Sequence, residues 1–411
     1  MQLRTHVELT DCIWVLGCQS SNKEGVLHIE MRCGRYVICL FEIIKNELVV
    51  KNNAEARYPA FLFVVTTELN FRQSDFGCLA DVLVHYRMKE RNISIDILKC
   101  LAALLITNSH MGLLYGKYSF LATGGCIGDV LFFFCSGFTL FLKPMNGLHE
   151  FPDWYKKRIS RIYPSIIAVA FLACIFFDTH WDIVQIALSS RYWFVQCIMI
   201  YYIAIYFVGC YFKDKFFTIS VIVALGTAVW FYFLYNKADF SIYSPKYYIR
   251  WLLFFDFMLL GAKMGTMTDC IKSRPLVDIF LLILCIVAFY ALFIIGTRFK
   301  SLCVAQYFSF IPLMGIMFYI YKVGASKWAE KLYRHKVGNF IIRFIGGLCL
   351  EIYLVQFFLF TDRMNNLFPF NILIMFLVIF VVAYLTRCLA RLISQTFKEN
   401  PYDWRKIVNP Y

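Results

Sequence analysis

The sequence predicts an all-α fold, a polytopic membrane helix bundle of about ten transmembrane helices. Three observations predict it. The chain of 411 residues is 60% hydrophobic and only 17% charged, a balance that leaves too little polar surface for a soluble domain. From residue 95 onward, long apolar runs follow one another with short polar breaks. The Lys and Arg residues of those breaks alternate in density. With the N-terminus placed inside, 23 fall on the cytoplasmic side and 8 on the other, which puts both ends of the bundle in the cytoplasm. The net charge of +14 therefore belongs to the positive-inside pattern and calls for no nucleic-acid partner.

The expected spans are residues 95–115, 124–142, 163–177, 193–212, 216–235, 249–267, 276–296, 303–322, 340–360 and 370–391. Aromatic residues at their ends, such as Tyr192, Trp193, Tyr247, Tyr248 and Trp251, read as interfacial anchors. The 16 cysteines are scattered singly, with no CxxC pair and no metal-ligand spacing, so neither a disulfide framework nor a metal site is expected. Residues 1–87 differ from the rest. They are mixed in charge, hold no run of membrane length, and show only short β-leaning runs such as RYVICLFEI and AFLFVVTTEL. They read as a poorly patterned N-terminal extension, with a native start expected near Met88, whose basic leader directly precedes the first span. Residues 88–392 form the membrane domain and 393–411 a short cytoplasmic tail.

The first span carries the chemistry. It contains Asp96, Lys99 and His110. Ionisable groups inside a membrane are costly and turn inward toward partners or a working site. Lys99 and His110 are eleven residues apart, about three helical turns, so they share one helix face at roughly 16 Å along the axis. A neutral imidazole in a dry site can take a proton from an attacking hydroxyl. The second span adds Asp129 and Ser136 behind the close-packing glycines Gly124, Gly125 and Gly128. Arg158 and Arg161, spaced i, i+3 on one helix face, suit the phosphates of an anionic cofactor and equally suit membrane anchoring. Pro164 stands where a helix can begin. Glu351, deep in the ninth span, needs a proton, a cation or water; Lys99 or the arginine pair are its expected partners.

Taken in order, ISIDILKCLAALLITNSH, GGCIGDVLFFFCSGF, KKRISRIYP, RYWFVQCIMIYY, FDFMLLGAKMG and LEIYLVQ resemble the acyltransferase-3 family of bacterial integral-membrane O-acyltransferases, over about residues 91–391. The resemblance implies ten membrane helices in a bacterial inner membrane. It also implies transfer of an acyl group, acetyl first, from acetyl-CoA or another acyl-CoA to a hydroxyl of a surface polysaccharide, glycan or lipid-linked sugar, without a metal. His110 matches the family's catalytic histidine, as a base or as a transient acyl carrier. Arg158 and Arg161 match its RxxR motif for the donor, with Lys99 standing where Arg is usual. Glu351 or Asp129 would orient His110 or balance the cations. The sequence departs from the family pattern at Asp129, which follows Gly128 directly, at Gln196 and Ile198, and at Gln356 in place of a frequent histidine. Any later transfer step would call for a separate partner protein. The same buried charges also suit a transporter or flippase of an anionic or lipid-linked substrate, although no internal repeat is evident.

Overall fold

The computed structural model describes strands between residues 2 and 51 and residues 92–411, apart from 143–144, 146, 190, 234–240, 245–247, 268–272, 398–400 and 411. The chain divides into two compact units, Met1–Glu90 and Arg91–Tyr411.

The first unit holds β1 (Gln2–Leu9), β2 (Cys12–Ser21), β3 (Val26–Cys33), β4 (Tyr36–Ile44) and β5 (Glu47–Lys51), an antiparallel meander in chain order. The β-leaning run RYVICLFEI coincides with β4, while AFLFVVTTEL lies outside the described residues.

The second unit is all-α among its described residues. Its main helices are α1 (Ile93–His110), α2 (Gly125–Leu140), α3 (Phe151–Phe177), α4 (Trp193–Tyr211), α5 (Phe216–Phe233), α6 (Ile249–Thr266) and α7 (Pro275–Arg298). They continue with α8 (Phe310–Gly324), α9 (Lys327–Arg334), α10 (Lys336–Gly347), α11 (Cys349–Leu359), α12 (Phe370–Thr396) and α13 (Trp404–Val408). Among the described residues seven helices are long and apolar enough to cross a membrane, and up to nine if each of two bent pairs is one span. α6 falls outside that set because it carries Arg250, Asp256 and Lys263. With it, each of the ten stretches marked in the sequence is mainly helical over its described residues.

Local chemistry sets several boundaries. The Asn92 side chain accepts a bond from the Ile95 N–H at 3.3 Å and starts α1. Ser326 caps α9 in the same way, through the Ala329 N–H at 3.3 Å. Two expectations are corrected. The third span does not begin at Pro164: α3 starts at Phe151, with Pro152 in its first turn, and Pro164 sits inside it. A proline in the first turn costs no hydrogen bond, and that was the true start signal. The ninth span is not one straight helix either. It bends by 70° between α10 and α11, where the glycine pair Gly346–Gly347 weakens the helix.

α1 sits in the middle of the bundle, against α2, α8, α10 and α11. The α2–α6 seam is the closest backbone approach. A Cβ added at Gly137 would overlap the Met258 carbonyl oxygen, and one at Gly261 would overlap that of Phe134. Without a hydrophobic drive between helices in lipid, such contacts carry much of the association. Gly137→Ala is therefore expected to destabilise the bundle by about 1–3 kcal/mol or more, read as a lowered thermal transition in detergent. At the bundle's edge, α7 turns Leu276, Phe280, Ile283, Leu284 and Val287 outward, the pattern of a helix facing lipid. α7 is nonetheless tied to α8 by a buried pair: Lys322 meets Asp278 at 2.6 Å, and Asp278 also accepts from Ser273 Oγ at 3.0 Å.

Candidate active site

α1 carries Lys99 near its start and His110 as its last residue. The helix is held at both ends. Tyr333 donates to Asp96 Oδ2 at 2.8 Å at one end. At the other, Asn108 donates to the carbonyls of Leu121 and Thr123 at 2.9 and 3.0 Å. Past His110 the chain is stitched to the last span, with Asn365 and Asn371 donating to Leu113 and Leu114 at 2.8 Å each.

His110 is half-buried. Its Nδ1 lies 2.8 Å from the Ile106 carbonyl oxygen. A carbonyl only accepts, so Nδ1 carries the proton and Nε2 keeps the lone pair. The Phe357 ring meets the imidazole edge to face at 4.8 Å, which fixes its plane.

Between Lys99 and His110 the same face of α1 lines a cavity of about 10 Å³, bounded by Ala103, Ile106 and Thr107. Phe132 of α2, Phe194 of α4, and Cys349, Leu350, Ile352 and Tyr353 from the start of α11 close it. Room for about one water remains. Thr107 and Tyr353 line it with apolar atoms, and their hydroxyls are buried and meet no partner in hydrogen-bonding geometry.

The cations gather at the Lys99 end. Lys99 lies within electrostatic reach of Cys135 and Cys349. Arg158 and Arg161 both lie within electrostatic reach of Tyr202, whose hydroxyl sits 3.4 Å from Ser136 Oγ. Lys99 therefore acts on Cys135 of α2 and Cys349 of α11, and the arginine pair on the tyrosine beside Ser136 of α2. Arg158 stacks over Trp154 at 4.6 Å, and its buried Nε has no acceptor. Among the described residues no carboxylate pairs with Lys99, Arg158 or Arg161, which leaves their charges open to an anion.

Glu351 is placed differently from expectation. It is 3% exposed and bonds Arg387 of α12 at 2.9 Å, while Ser165 of α3 donates to its other oxygen at 2.7 Å. Arg387 also donates to the Gly347 carbonyl, at the bend between α10 and α11. Glu351 thus joins three helices with a cation that sequence reasoning did not single out. Among the described residues His110 has Ile106 and Ser109 as hydrogen-bond partners, and neither Glu351 nor Asp129. Asp129, in the second turn of α2, lies instead within electrostatic reach of Arg250 of α6. Arg250 was also missed. It sits just inside an aromatic span end, and its only sequence signal was a charge where an anchor was read. Among the described residues no group of three His, Cys, Asp or Glu side chains is placed to hold a metal ion.

A half-buried imidazole with a free lone pair thus shares one helix face with a small cavity and with Lys99. The family model described as an acyltransferase domain, that of the acyltransferase-3 family, matches residues 92–390. The chain belongs to that family and is an acyltransferase of the kind that transfers groups other than aminoacyl. Comparison with curated proteins and comparison with solved structures each return no match.

Proposed function

We propose that this protein is an O-acyltransferase of a bacterial inner membrane with both ends of its bundle in the cytoplasm. It moves an acyl group, acetyl in the first instance, from acyl-CoA to a hydroxyl of a surface polysaccharide, glycan or lipid-linked sugar. The observation that carries this reading is the single α1 face that runs from Lys99, past the cavity, to His110.

Lys99, Arg158 and Arg161 hold the phosphates of the donor. Arginine grips a phosphate through a planar fork and lysine as a point charge, so the arginine pair sets the orientation. The pantetheine arm lies along the α1 face and brings the thioester to His110. Nε2 takes the proton of the acceptor hydroxyl as its oxygen attacks the thioester carbonyl. The C–S bond breaks and the departing thiolate takes the proton back from the imidazolium. Glu351 acts at a distance, balancing Arg387 and fixing the bend that carries the cavity wall.

The test uses inside-out membrane vesicles that hold the full chain, the native glycans and lipids, and acetyl-labelled acetyl-CoA. Label is expected in non-protein material. Arg158→Ala combined with Arg161→Ala is expected to raise the acetyl-CoA concentration for half-maximal transfer at least tenfold. Absence of label with any acyl-CoA, from folded protein, would overturn acyl transfer and turn attention to substrate flux.

A further inference from the structure

Arg250 is 3% exposed, at the His110 end of the bundle, and its charge is not matched by an ion pair among the described residues. Its guanidinium lies flat on Trp193, 3.4 Å from the ring centre. One nitrogen reaches the Tyr243 carbonyl at 3.4 Å, while Nε and Nη2 have no acceptor. That pair is the edge with which arginine grips two oxygens side by side. A buried, hydrogen-bond-starved guanidinium is costly, so its missing acceptor is a strong structural demand. Two groups near it also make no hydrogen bond among the described residues. Asp129 lies within electrostatic reach, half-buried, with no hydrogen bond among the described residues. Tyr353 is also in reach, and its hydroxyl lies near the Phe194 backbone without a bond in proper geometry. Tyr353 is a wall of the cavity beside His110, and both rings touch Phe357.

The set combines a pure donor, a pure acceptor and a hydroxyl that does both, flanked by aromatic faces. A lone anion would be repelled by Asp129. Neighbouring hydroxyls of a neutral polyol match all three groups, each oxygen accepting from Arg250 and each proton finding Asp129 or Tyr353. We propose that Arg250, Asp129 and Tyr353 form the acceptor subsite and hold a neutral sugar ring by two adjacent hydroxyls while a third meets His110. This rests on the acyl-transfer reading and names the acceptor side of that site.

The experiment varies the glycan fraction of the source membranes, dosed by total sugar, and separately the acetyl-CoA, in vesicles holding the full chain. Variants are Arg250→Gln, Arg250→Lys, Tyr353→Phe, Asp129→Asn and the double variant Asp129→Asn with Arg250→Gln. Arg250→Gln is expected to raise the glycan dose for half-maximal transfer at least tenfold and to leave the acetyl-CoA requirement within twofold. The double variant is expected to be no better. Arg250→Lys keeps the charge but loses the fork, so it is expected to fall short of the wild type. Should Arg250→Gln fail to accumulate, Arg250→Lys and Tyr353→Phe read the same split. Recovery in the double variant would mean that Arg250 and Asp129 serve only each other, and would overturn the subsite. An unchanged glycan requirement across the single variants would do the same. Transfer absent from the wild type would instead overturn acyl transfer itself.

Discussion

Replacing His110 by Ala should reduce acyl transfer by about 10²–10⁴-fold while leaving the amount of folded protein unchanged. The range is that of a lost general base. The fold should tolerate the change because His110 is the last residue of α1 and only half-buried. His110→Gln is the sharper variant. Its amide can still donate to the Ile106 carbonyl, but it offers no basic nitrogen, so it should be as inactive as Ala. Label incorporation from acetyl-CoA is the readout, with protein quantified in the same vesicles. Full activity in either variant would remove His110 from the chemistry.

The largest effect on stability is expected at the Glu351–Arg387 pair. Glu351 and Arg387 side chains are 4% and 16% exposed, so neither charge has ready access to water. Breaking a buried pair by removing one partner costs about 3–5 kcal/mol, because the survivor stays buried and uncompensated. Arg387→Met should therefore lower the thermal transition strongly, and Glu351→Gln with Arg387→Met together should recover most of it. The Ser165 bond to Glu351 and the Arg387 bond to Gly347 add to the loss, since three helices and the α10–α11 bend meet there. Equal transition temperatures for the single and the double variants would contradict the pairing.

Sequence reasoning reached the features that are periodic and missed those that are tertiary. The ten apolar stretches, the shared face of Lys99 and His110, and the helical register of Arg158 and Arg161 all follow from spacing along one element. The partner of Glu351 does not. Arg387 lies 36 residues away on another helix, and only packing chooses it over Lys99. Arg250 was hidden for a similar reason: beside Tyr248 and Trp251 it looks like an interfacial residue, and only the folded chain puts it against the Trp193 ring and within electrostatic reach of Asp129. The start of α3 was legible and misread, because Pro164 drew attention from Pro152.

α1 is one continuous helix pinned at Asp96 and Asn108, so the rise from Lys99 to His110 stays at roughly 16 Å and acts as a ruler. On the proposed chemistry, that ruler selects donors by length before any pocket reads the acyl group. A small acyl phosphate bound at the cation cluster would leave its carbonyl several turns short of the imidazole, whereas a donor with a long flexible arm spans the gap. Cellular pools of short activated acids would then be invisible to this enzyme, and its output would follow the supply of the long-armed thioester alone.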